Sequence, residues 1–190
     1  DDDYYAKQIK SFKLFDENDD KLFTVGENDI VIMKKEYQMK CQCQQTTFEY
    51  GEEKNVLIRK DENNNTFTVK RIRVIQFFEP EEMKEIKEIQ KRNEIAQLEE
   101  WIGLKYKEVI FDSDISEWRQ GKSVFDKRIF GKDKMAFIIE DSEHNKFGCF
   151  INSRIEKYIT FDKETFEWKG SSITDPYAFV FSLKSNDRFK

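Results

Sequence analysis

Alternating apolar and polar side chains, broken by turn-rich stretches, predict strands over most of the first 78 residues. Phe12 and Leu14, then Leu22-Phe23-Thr24-Val25, flank Asp16-Glu17-Asn18-Asp19-Asp20, which is the pattern of a hairpin. Asp29-Ile30-Val31-Ile32-Met33 is a short apolar run suited to a buried strand. Tyr37-Gln38-Met39-Lys40-Cys41-Gln42-Cys43 alternates instead, and predicts a strand with one wet face. Beyond a turn at Asp61 to Asn65, Phe67, Val69, Ile72, Val74, Ile75, Phe77 and Phe78 predict two further strands, with the phase slipping near Arg71.

Residues 79 to 102 change period. Glu79-Pro80-Glu81-Glu82 is a helix start, because Pro is tolerated in the first turn and acidic groups favour the positive end of the helix dipole. Met83, Ile86 and Ile89 gather on one side, and Ile95, Leu98 and Ile102 on another, so the helix is expected to roll or break near Gln90 to Asn93 and to dock on the core. Gly103 ends it. Val109-Ile110-Phe111 predicts a brief strand, and Asp112 or Ser113 caps a helical turn carrying Ile115 and Trp118. Ser123 with Asp126 three residues on predicts a capping box for a short helix through Val124, Phe125, Ile129 and Phe130, stopped at Gly131. Met135 to Glu140 and Phe147 to Ile151 form the clearest hairpin of the chain, and Tyr177 to Leu183 is the last strand.

At 190 residues the chain is the size of one domain, and its 18 Phe, with 38% hydrophobic residues, call for an aromatic core. A net charge of −5 gives no general attraction to nucleic acid; the local cluster Lys70, Arg71 and Arg73 is the one basic candidate, and it reads as a solvated sheet edge. Cys41, Cys43 and Cys149 are odd in number, which favours free thiols in a reducing compartment, the cytosol or nucleus. Neither a bilayer-spanning apolar run nor a signal-peptide core is present in the sequence. Asp1-Asp2-Asp3, without Met, is expected to open a fragment or a processed chain, and Asn64-Asn65-Thr66 is expected to be a polar turn, not a glycosylated sequon.

Several of these segments resemble the TLDc family. Val109-Ile110-Phe111-Asp112-Ser113, the helix through Ser123 and Phe125, the hairpin with Asp141 ahead of Phe147-Gly148, and Ala178-Phe179-Val180-Phe181-Ser182-Leu183 are similar to the first half of such a domain, across residues 101–190. Asp29-Ile30-Val31-Ile32, Cys41 through Phe48, and Phe67 through Phe78 are similar to its second half, yet lie within residues 1–78, ahead of the first. The resemblance implies a strand-dominated α+β fold: a two-sheet antiparallel β-sandwich with short flanking helices. Residues 79–100 would form one long linker helix. The reversed order leaves two arrangements, a circularly permuted domain spanning residues 1–190 or halves that pair between molecules as a swapped dimer. Intramolecular closure is preferred, because the linker can cross a small domain. The family's association with oxidative-stress protection and with binding of the vacuolar proton-pumping ATPase implies a protein-interaction role here.

No catalytic, metal or cofactor site is expected from the residues. Asp16, Asn18, Asp20, Thr24 and Glu27 fit five positions of an EF-hand loop, but Lys21 replaces its central Gly and the flanks read as strands, so a hairpin turn is expected. Cys41 and Cys43 have the wrong spacing for zinc, and His144, the one histidine, lies in a hairpin turn. Asp112, Asp114 and Glu117 read as capping and solvation of a short turn. Two rival classes remain: a thiol-based redox enzyme using Cys41, Cys43 or Cys149, and a nucleic-acid-binding regulator using Lys70, Arg71 and Arg73.

Overall fold

The structure is a computed structural model that describes residues 10–50, 56–58, 64–79, 93–156, 161–162, 167–168, 171–185 and 187–189. β1 (Ser11–Leu14) and β2 (Lys21–Val25) form the expected first hairpin, and β3 (Ile30–Met33), wholly buried, pairs with β2. Here the alternating stretch departs from expectation. Lys35–Lys40 is a 3-10 helix, with Met39 exposed and Tyr37 half-buried against the core, and only Cys41–Gln42 forms a strand, β4. The alternation marks a strand only where it buries something: Cys41 and Cys43 are buried, while the intervening Gln42 is exposed.

β5 (Thr66–Phe67) completes the first sheet, and the chain then crosses at Thr68 into β6 (Val69–Phe78), a ten-residue strand of the second. The slip expected near Arg71 is a register irregularity between Val69 and Arg71 against the next hairpin. Near-continuous burial of β6 follows from its place between two neighbours, with a hydrophobic cluster on each face.

α1 (Asn93–Ile102) carries the Ile95, Leu98 and Ile102 stripe; residues 80–92, which hold the other expected apolar stripe, lie outside the described residues. Ile95 and Leu98 pack with Ile75, Phe77, Ile138 and Phe181 in a cluster of their own, and Gly103 (φ 77°) closes the helix through its amide on the Glu99 carbonyl. β7 (Lys105–Asp112) is longer than the three residues expected, since its first half is an exposed edge without apolar alternation. α2 (Phe125–Ile129) forms, but the capping box does not: Ser123 Oγ accepts the Phe125 amide, and Asp126 Oδ1 has no hydrogen-bond partner among the described residues.

β8 (Met135–Asp141) and β9 (Lys146–Ile151) are the expected hairpin. β10 (Phe161–Asp162) and β11 (Glu167–Trp168) pair with each other, apart from both larger sheets among the described residues. β12 (Ser171–Thr174), β13 (Phe179–Ser182) and β14 (Asp187–Phe189) end the chain; β12 and β14 were not anticipated, since neither has an apolar run.

The result is two antiparallel six-stranded sheets, ordered β12-β1-β2-β3-β4-β5 and β14-β13-β9-β8-β6-β7. Each end of the chain lends a strand to the other's sheet. β6 lies between β7 and β8, and β12 pairs with β1 from Ser11↔Thr174 to Leu14↔Ser171. One hydrophobic cluster draws on both sheets: Phe12 and Phe23 lie 4.8 and 5.2 Å, centroid to centroid, from Phe137, and Phe67 meets Phe147 edge-on at 5.1 Å. Within the second sheet, the close approach of β8 to β9 requires glycine at 148, because a Cβ there would sit 1.7 Å from the Phe137 carbonyl oxygen.

Candidate functional sites

All three thiols are buried. Burial pushes the Cys41 thiol up to about 12, against only a weak opposing contact from the Met33 amide, and drives Cys43 and Cys149 well above the ordinary range. A thiol that is both inaccessible and held protonated is a poor nucleophile. The cysteines therefore behave as small core residues.

Each basic residue of β6 meets a carboxylate. Lys70 pairs with Glu140 at 3.1 Å, Arg71 is forked on Asp112 at 3.0 and 2.5 Å and also reaches Asp114, and the buried Arg73 holds Glu94 at 2.9 Å. The positive charge available to a phosphate backbone is correspondingly reduced. His144 sits at φ 62° in the β8–β9 turn, largely exposed, against Glu140 and Lys70.

The acidic loop of the first hairpin is built around an internal cation. Lys34 is 1% exposed, and its ammonium donates to the carbonyl oxygens of Asp16 and Asp19 at 2.7 and 2.8 Å. Burial lowers its pKa, opposed by the charges of Asp19, Asp16, Asp126 and Asp20. The loop's own carboxylates turn back on the backbone: Asp16 Oδ1 accepts the amides of Asn18 and Asp19, and Asp19 Oδ1 that of Lys21. The EF-hand-like spacing is thus a hairpin turn with a lysine at its centre. Segment 117–127 clamps it from outside, with Gly121 N on Glu17 O, Gln120 Nε2 on Asn18 O and Lys127 Nζ on Glu17 Oε2.

Three buried aspartates that the sequence did not single out as polar centres shape other loops. Asp29, fully buried, accepts the amides of Thr46, Thr47 and Phe48, the Thr46 hydroxyl and the Tyr50 phenol, so that one carboxylate folds the segment after β4. Gly26 must remain glycine beside it, since φ is 61° and a Cβ would lie 2.1 Å from Asp29 Oδ2. Asp141 accepts the amides of Glu143 and Asn145 and the Asn145 side-chain amide. Asp175 accepts those of Asn152, Ser153 and Tyr177. For Asp29 and Asp141 the signal available in the sequence was an Asp at the border of an apolar strand; Asp175 follows the polar Ser171–Thr174 and carried no such signal.

Asp112, Asp114 and Glu117 do not converge. The first two bind Arg71, whereas Glu117 folds onto Arg119. Among the described residues no group of three or more His, Cys, Asp or Glu side chains is disposed to hold a metal. The expected helical turn is present at Ile115 but stops short of Trp118: the amides of Ile115 and Ser116 lie on the Asp112 carbonyl, and Ser113 Oγ accepts the Ile72 amide, which ties the turn to β6. This fixed turn leaves Ile115 87% exposed; among the described residues Met39 and Tyr177 are the other strongly exposed large hydrophobic side chains. Asn64 Oδ1 accepts the Thr66 amide and hydroxyl, the expected polar turn. No described helix is long and apolar enough to cross a membrane.

Compared with family models, curated proteins and solved structures, the chain gives no match in any of the three.

Proposed function

We propose that this chain is a TLDc-type protein-interaction module: a single β-sandwich domain over residues 1–190, with the family's two halves in permuted order and no catalytic role of its own. In this reading the two sheets pack face to face, and the module holds a protein partner, as in protection from oxidative stress or in binding the vacuolar proton-pumping ATPase. The observation that carries the binding role is the Asp112–Ser116 turn, pinned to β6 by Arg71 and Ser113 while it holds Ile115 in solvent. Rigid scaffolds that fix a loop and expose one apolar side chain reduce the entropy lost when a partner docks. Burial and protonation of Cys41, Cys43 and Cys149 weigh against the thiol-enzyme alternative, and carboxylate pairing of Lys70, Arg71 and Arg73 against the nucleic-acid alternative.

The test is direct binding of the purified chain to the purified soluble sector of that ATPase. Saturable binding is expected, weakened about tenfold by Ile115→Asp. Absence of binding at micromolar concentrations, or peroxide turnover by the chain alone, would overturn the reading.

A further inference from the structure

We propose that the hollow between the C-terminal end of α1, the 175–178 turn and β14 is a binding site for a small organic anion with a flat apolar body. The hollow has a volume of about 480 Å³ and is lined in part by Trp101, Phe150, Phe179, Tyr177, Arg188 and Lys10. That volume lies within the range of small-molecule sites, roughly 300–1,000 Å³. Phe150 and Phe179, 4% and 5% exposed with rings 5.5 Å apart, form its apolar floor. They belong to the face of the second sheet against which Ile95 and Leu98 of α1 pack, and the hollow lies beside the C-terminal end of that helix, at Trp101 and Ile102.

Charge gives the ligand its sign. Three charged residues border the hollow, and Glu79 is drawn to Lys134 at 3.6 Å. Lys10 and Arg188 remain, and among the described residues neither pairs with a carboxylate. The Lys10 ammonium lies over the Phe48 ring. The Arg188 guanidinium lies 5.9 Å from the Phe179 ring centroid and gives one hydrogen bond, at 2.6 Å, to the Trp101 carbonyl. A guanidinium has five N–H donors in a planar fork, so donors remain for a carboxylate or sulfonate whose ring stacks on the floor. The wall opposite is fixed before any ligand arrives: Asp175, fully buried, holds the amides of Asn152, Ser153 and Tyr177. A preformed wall lowers the ordering cost of binding. This site is independent of the Ile115 turn and of the family reading.

The experiment titrates the full chain with 1-anilinonaphthalene-8-sulfonate, and in parallel with its uncharged analogue N-phenyl-1-naphthylamine, following dye fluorescence and intrinsic tryptophan quenching. One saturable site is expected for the sulfonate, with the uncharged dye binding more weakly. Arg188→Gln is expected to weaken the sulfonate about tenfold, as loss of a charge-assisted hydrogen bond would, and to leave the uncharged dye unchanged; Arg188→Lys should recover part of the loss. Tyr177→Ala, at an exposed position, should weaken both dyes. Circular dichroism and thermal unfolding of each variant verify that the fold is intact, and two-dimensional NMR places the shifts. Equal binding of the two dyes, equal binding by Arg188→Gln and wild type, or shifts that avoid Phe150 and Phe179 would overturn the proposal.

Discussion

Gly26 and Asp29 act as one unit: the glycine leaves room for a carboxylate that five backbone and side-chain donors surround. Gly26→Ala brings a methyl group onto Asp29 Oδ2 in a left-handed backbone, and should cost more than about 2 kcal/mol in denaturant unfolding. Lys34 is the other residue on which a loop depends. Lys34→Met keeps the length of the side chain but leaves the Asp16 and Asp19 carbonyls without their donor, an expected loss of about 1–3 kcal/mol. An unchanged unfolding midpoint for Lys34→Met would show that water serves the loop equally well. These two centres were the least legible part of the sequence. Asp29 stands in the string as the polar edge of an apolar strand, and Lys34 as one of two adjacent lysines; which polar group is buried depends on which loops close over it.

At the scale of elements, hydrophobic period carried most of the reading. It located both hairpins, the β3 run, the slip in β6 and the Gly103 stop. It failed where burial is shared unevenly. Tyr37 and Met39 alternate like strand residues yet sit on a 3-10 helix, while Ser171–Thr174 has little apolar content and pairs with β1 as an edge strand. α1 is held by packing and by charge. Leu98→Ala should cost about 2–5 kcal/mol through lost burial and the cavity left behind. Glu94 joins the helix to both β6 and β9: partial burial would raise its pKa, but hydrogen bonds from Lys146 and Arg73 outweigh that and bring it below the ordinary 4.5. Because the folded value is the lower one, the unfolded chain takes up the proton first on acidification. Glu94 therefore contributes its full stability above about pH 4.5, and loses it as pH falls through the folded value. Glu94→Gln should remove that part of the acid dependence, read as a flatter midpoint-against-pH curve below that pH.

At the scale of the molecule, the fold depends on interleaving. Neither end of the chain builds a sheet from its own strands alone: β6 completes one sheet and β12 extends the other. Closure of the two ends on one another was expected only from the resemblance and its reversed order; the strands that the ends exchange carry no apolar run or lie in a stretch whose partners the pattern does not name. Two of the candidate acidic groups are engaged within the fold: Arg71 takes Asp112 and Asp114 as partners, and Lys34 occupies the acidic loop. The most direct test is an isotope-filtered NOESY experiment on a mixture of labelled and unlabelled chain. Contacts between the Phe12 and Phe137 rings, whose centroids lie 4.8 Å apart, and between β1 and β12 backbones are predicted within single molecules. Their absence, or their appearance only between labelled and unlabelled molecules, would contradict a core closed by one chain.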